Sequence, residues 1–252
     1  MKKNILSLVA LAIVAVSCST SQKATKVADV VVYKNSITSA ELSKHLYIVA
    51  DDNMEGRNTG EPGQKRAGEY LINEYKKNGI SYPTGATDFY QKVPSEFMKR
   101  GFAPKLNDSE NIWTFIEGSE KPQEIIVISA HYDHVGMKNG EVFNGADDDG
   151  SGTVALLEIA QAFKKAKDDG FGPKRSILFL HVTGEEHGLH GSRFYSENPL
   201  FPIENTVVDI NIDMIGRRDT LHPKTNNYIY VIGSDHLSSE LHTINEEVNA
   251  KH

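Results

Sequence analysis

The sequence predicts an α/β fold of three layers, α-β-α, around a mixed and mainly parallel central sheet. Three observations predict it. Residues 125–129 and 177–182 have the apolar content and length of buried strands, and 207–212 reads as a third strand. Between the first two lie residues 151–167, with Val154, Leu157, Ala160 and Phe163 at helical spacing. Strand–helix alternation of this kind builds a largely parallel sheet covered on both faces. Finally, His131, residues 147–149, Glu185, Glu186 and Asp213 all sit just past a strand or just before a helix. That is where open α/β sheets keep their ligand sites.

The elements follow in order. Met1, Lys2 and Lys3 give a positive start, and residues 5–16 are apolar apart from Ser7. The run is too short to cross a bilayer and has the length of a signal-peptide core. It closes on Ala15, Val16, Ser17 and Cys18, and Cys18 is the chain's one cysteine. The pattern resembles a bacterial lipobox, in which the cysteine is lipidated and becomes the new N-terminus; with no second cysteine it has no disulfide to form. The expected organisation is a signal peptide over 1–17, a lipidated tether over 18–37 and one folded domain over 38–252. Thr38 or Ser39 can cap a helix running to about Ala50. Pro62 can open the next helix, and Asn78 with Gly79 closes it. Strands are expected at 89–93, 112–116 and 125–129, then the 151–167 helix, a strand at 177–182, a short helix at 189–196, strands at 207–212 and 228–232, and a last helix at 237–248.

Bulk properties bound the partners. The chain has 252 residues and a net charge of −7, and no basic stripe tracks phosphates, so nucleic acid is excluded as a partner.

Taken one at a time, the polar residues at the strand ends have plain structural uses. Residues 147–149 could be a solvated turn and helix cap, Glu185 and Glu186 surface charge, His131 a hydrogen-bonded core histidine and Asp213 a loop cap. Together they bring one imidazole and several carboxylates to one rim. So much negative charge in one place is unfavourable unless a cation sits there, and mixed nitrogen and oxygen donors suit zinc.

Four blocks carry a specific resemblance: residues 131–136 (HYDHVG), 145–152 (GADDDGSG), 183–192 (TGEEHGLHGS) and 211–216 (NIDMIG). With Met54, Glu55, Gly56 and Arg57 upstream, they resemble the co-catalytic di-zinc aminopeptidases, a family that includes bacterial leucyl aminopeptidases, aminopeptidase Y and the glutamate carboxypeptidases. The resemblance implies a zinc exopeptidase that takes peptide substrates, most simply releasing N-terminal amino acids, with two Zn2+ per complete site. It makes His131 and Asp213 ligands of the first zinc, Asp148 the carboxylate bridging both, Glu186 a ligand of the second and Glu185 the general base. It also implies a cis peptide between Asp148 and Asp149. Asp133, two residues past His131, is expected to accept the ring N–H of His131 and fix its tautomer.

The family supplies one further histidine ligand downstream of the aspartate matched by Asp213. His236, in Ser234-Asp235-His236, follows the 228–232 segment too closely and is expected to be a solvated histidine. The domain is therefore expected to be incomplete at its C-terminal end. The implied location is the bacterial cell envelope, membrane-anchored through Cys18. The competing readings are a glutaminyl cyclase-like enzyme with one zinc and an inactive remnant.

Overall fold

A computed structural model describes residues 29–99, 105–225 and 227–251; the signal peptide and Cys18 lie outside them. The chain begins with α1 (Val30–Lys34) and α2 (Ser39–Val49). A tight 3-10 segment (Asp52–Arg57) leads to α3 (Pro62–Lys77). Next come β1 (Tyr90–Val93), β2 (Ser109–Ile116) and β3 (Lys121–His131), then a small ribbon of β4 (Met137–Lys138) and β5 (Glu141–Val142). A wide π-type turn (Ala146–Ser151) feeds α4 (Gly152–Asp168). The chain continues through β6 (Arg175–Val182), α5 (His190–Glu197), β7 (Thr206–Asn211), α6 (Ser234–Leu237) and α7 (Ser239–Lys251).

Local chemistry sets the boundaries. Thr38 caps α2, its hydroxyl accepting from the Glu41 amide at 3.2 Å. Pro62 occupies the first turn of α3, where its missing N–H costs nothing. The Asn78 amide group donates to Glu74 O at the other end.

The main sheet has the order β1-β2-β6-β3-β7. β6 pairs with β3, and β3 with β7, in parallel. β1–β2 and β2–β6 are antiparallel. The sheet is thus mixed, as expected, with its parallel half confined to the three strands that lead into the polar blocks. β2 and β3 are consecutive in sequence, yet β6 lies between them.

Helices cover both faces. On one, Leu71, Ile72 and Tyr75 of α3 and Leu156, Leu157 and Ala160 of α4 pack on Ile112, Ile128, Ile177 and Phe179. On the other, Tyr195 of α5 packs with Trp113, Val127, Leu178 and Leu180. Each fully buried aliphatic side chain is worth about 1.5–3 kcal/mol, so these two layers hold the fold. The exposed ion pairs, at about 0–1 kcal/mol each, do not. His45 joins three helices: its Nδ1 meets the Tyr70 hydroxyl at 2.5 Å and its Nε2 meets Glu158 at 3.1 Å.

Two expectations are modified. The strand expected at 228–232 does not form. Ile229, Tyr230, Val231 and Ile232 are exposed, and the tyrosines turn to local partners instead. The Tyr228 and Tyr230 rings pack on His222, and the Tyr228 hydroxyl accepts from the Asp219 amide. The final helix is interrupted by Ser238, which is extended (φ −161°, ψ 126°) and separates α6 from α7. In addition, contact with the domain begins inside the stretch expected as tether: the Tyr33 hydroxyl of α1 donates to Asp169 at 3.2 Å.

Candidate metal centre

The carboxyl ends of β3, β6 and β7 and the turn before α4 converge. His131 is the last residue of β3. Glu185 and Glu186 follow β6, and Asp213 follows β7. His131 is 2% exposed, and its Nε2 faces the opening. It lies 3.1 Å from Asp148 Oδ1, 3.9 Å from Asp213 Oδ1 and 3.9 Å from Glu185 Oε2. Two donors of one tetrahedral zinc, each about 2.0–2.2 Å from it, stand roughly 3.3 Å apart, so His131, Asp148 and Asp213 have the spacing of co-ligands.

A second cluster shares Asp148: His134, Asp148 and Glu186 each offer one donor within reach of a common ion. His134 Nδ1 stands 2.5 Å from Glu186 Oε1. His131 Nε2, His134 Nδ1 and Glu186 Oε1 are all buried, and among the described residues none has a partner in good hydrogen-bond geometry. Imidazole nitrogens and carboxylate oxygens that crowd together out of water at angles poor for hydrogen bonds are costly, and a cation in each cluster is the simplest species that satisfies them. Imidazole nitrogen and carboxylate oxygen are donors that zinc accepts. The residues present therefore fit the group.

The three consecutive aspartates divide the work. The peptide between Asp148 and Asp149 is cis, and Asp148 turns to the opening. Asp147 and Asp149 face the loop that carries Asp213. Asp147 accepts from the Gly216 amide (2.8 Å) and Arg217 Nε (2.7 Å), and Asp149 Oδ1 from the Gly152 (2.8 Å) and Met214 (3.3 Å) amides. The Ser151 hydroxyl donates to Asp147 O and accepts from the Ile215 amide. Asp213 is thereby held by its neighbours' main chain while its own carboxylate stays free.

Asp133 is wholly buried, but it does not act as expected. His131 Nδ1 meets the main-chain carbonyl of Asp133 at 3.0 Å, and the Asp133 carboxylate is 3.8 Å away. β3 ends at His131, so the shared face of alternate strand residues does not extend to Asp133. The carboxylate accepts instead from the Thr59 hydroxyl (2.8 Å) and the Glu185 amide (3.2 Å). Asp133 braces Glu185, and the tautomer of His131 is set by a backbone oxygen.

Burial dominates the protonation of these groups. Burial raises Glu185, Glu186 and Asp213 above the usual carboxylate range, and it pushes Asp149 up to about 8. Burial alone would lower His131, but the field of Asp133, Asp149, Glu185 and Asp213 outweighs it and leaves the imidazole raised. Each raised carboxyl is a charge the fold alone leaves unbalanced.

His236 takes no part. It lies on α6 with its side chain 83% exposed.

Comparison with known proteins bears on the family and the fold. The profile described as "Peptidase family M28" matches residues 111–250, a span that includes all four polar blocks. A vacuolar membrane protease of Emericella nidulans is 33% identical over 115 residues, covering 46% of this chain and 11% of its own length. The chain therefore spans about a tenth of that relative. A Zn-dependent exopeptidase from Parabacteroides distasonis shares the fold with a TM-score of 0.55 at 22% identity, over 72% of this chain and 63% of its own. The glutaminyl cyclase of Porphyromonas gingivalis does so at 0.58 and 20%, over 72% and 62%.

Proposed function

Because this chain belongs to peptidase family M28, we propose that it is a zinc exopeptidase that releases N-terminal amino acids from peptides, with two zinc ions held side by side. The observation that carries this reading is the pair of donor clusters sharing Asp148, with buried donors that have no other partner. His131, Asp148 and Asp213 would hold one ion. Asp148, Glu186 and His134 would hold the other.

Zinc, when bound there, supplies a Lewis acid that polarises the scissile carbonyl and brings the pKa of a bound water toward about 7. The chain's own residues do the rest. Glu185 Oε2 lies 3.9 Å from His131 Nε2, at the rim where it would take a proton from the attacking water and hand it to the leaving amine. Asp133 holds the Glu185 main chain, so the base is aimed from a buried anchor. The acidic rim suits the ammonium of a peptide N-terminus by charge. For the membrane association, the apolar leader and lone Cys18 support export and a lipid anchor in a bacterial envelope.

The test is Glu185→Gln. The amide keeps the shape but cannot accept a proton, so hydrolysis of an aminoacyl-anilide should fall by about 10²–10⁴-fold or more while zinc per chain stays unchanged. Loss of metal with unaltered turnover per remaining zinc would instead make Glu185 a ligand and overturn the assignment. One zinc per chain, with activity on N-terminal glutamine and none on anilides, would favour the cyclase reading that the second fold relative raises.

A further inference from the structure

We propose that Arg57 is a positioning residue for the metal centre: a single buried guanidinium fixes the spacing of the two segments that carry the ligands. The inference rests on the zinc reading above.

Arg57 is 0% exposed, and among the described residues no carboxylate forms an ion pair with it. Its partners are four main-chain carbonyls. Nε donates to Tyr132 O (2.9 Å), Nη1 to Val49 O (2.8 Å) and Asn144 O (2.6 Å), and Nη2 to Gly145 O (2.8 Å). Tyr132 lies between His131 and Asp133, and Gly145 lies three residues before Asp148. One planar fork therefore grips the main chain next to the first histidine and the main chain entering the bridging aspartate. The backbone of Arg57 reaches the second cluster as well, because its carbonyl accepts from the His134 amide at 3.1 Å.

The chain accepts unfavourable conformations to put it there. Glu55, Gly56 and Arg57 have φ of 51°, 63° and 53°, a left-handed run that non-glycine residues seldom adopt. Gly56 can be nothing larger, since a Cβ would stand 2.4 Å from the carbonyl oxygens of Gly136 and Phe143. A buried charge is also expensive. Burial pulls the guanidinium down to about 10, against the field of Asp133, Asp149, Asp148 and Glu186, so it is still charged at neutral pH. An apolar side chain would fill the same space without that cost. Neither a filler nor a lysine would do the same work: only the guanidinium presents five donors in one rigid plane.

The experiment compares the full chain with Arg57→Lys and Arg57→Ala. Zinc affinity is read by competition with a chromophoric chelator, and site geometry by the visible spectrum of the cobalt-substituted protein. Far-UV circular dichroism reports the fold. Each variant should lose zinc affinity by about 10–100-fold, as removing outer partners of metal ligands does, and should show an altered cobalt spectrum. Added guanidinium ion should restore both in Arg57→Ala, because it can re-enter the vacated space. Folded variants that hold zinc within a few-fold of the parent would overturn the proposal. So would weakened binding with an unaltered cobalt spectrum and no rescue, which would mark a general loss of stability. If Arg57→Ala does not fold alone, Arg57→Lys is read in its place. A parent chain that takes up no zinc would show, before any variant is examined, that the zinc reading itself had failed.

Discussion

At the residue scale, the candidate ligand set was legible in part, its roles through the family resemblance. His131, Asp148, Glu186 and Asp213 could be placed because each sits where a strand ends or a helix begins, and the structure brings all four to one opening. Two residues were not legible. Asp133 was expected to face the imidazole because alternate residues of a strand share a face. That rule lapses at His131, where β3 ends. His134 was quoted within a block but not weighed as a donor. The signal available was its spacing of three from His131, which needs a turn rather than a strand between them. Gly145 records how close that turn comes: with φ +56°, a Cβ there would stand 2.5 Å from the His134 ring. If His134 supplies the second nitrogen donor, His134→Ala should lower bound zinc from about two to about one per chain while sparing the His131 position, because a zinc left with two protein ligands binds weakly. Atomic absorption on dialysed protein measures this. Two zincs in the variant would remove His134 from the ligand set.

At the element scale, what was legible depended on where the partners come from. Helices with their own caps and strands buried on both faces were readable, since local chemistry and periodicity define them. The 228–232 segment was not: its apolar residues look like a strand, but a strand exists only when an edge pairs with it. Between elements, α3 and β6 meet through a contact no periodicity announces. The Tyr75 hydroxyl lies 2.7 Å from His181 Nε2, and His181 Nδ1 is buried without a partner. Burial pulls the His181 imidazole down to about 3, so it is neutral in the fold. Its ordinary value near 6.5 applies once the chain unfolds. Between those values only the unfolded state takes up the proton. The stability this residue contributes is full above pH 6.5 and lost as pH falls toward 3, on the order of a few kcal/mol in all. Urea midpoints should therefore fall between pH 7.5 and 5 by a larger margin in the parent than in His181→Gln, which cannot take up that proton. Equal pH slopes for the two proteins would show that this buried contact does not govern acid sensitivity.

At the scale of the whole molecule, the proposed lipid anchor would hold an acidic peptidase domain at a surface. No helix among the described residues is long and apolar enough to cross a membrane, and a net charge of −7 disfavours an anionic bilayer. Under the lipid-anchor proposal attachment rests on Cys18, and a single acyl chain holds a protein only marginally, so stable anchoring needs more than one chain. Tyr33 of α1 is already in contact with the domain. Residues 18–28 would have to bridge from lipid to α1, and fully extended they reach at most roughly 40 Å. We expect expression in a lipoprotein-processing bacterium to place the protein in the membrane fraction, with Cys18 as an acylated N-terminal residue. Cys18→Ser should release it to the soluble fraction with its turnover unchanged. Mass spectrometry of the N-terminal peptide decides the matter: an unmodified N-terminus at any other residue would refute the anchor and leave the protein as a freely exported peptidase.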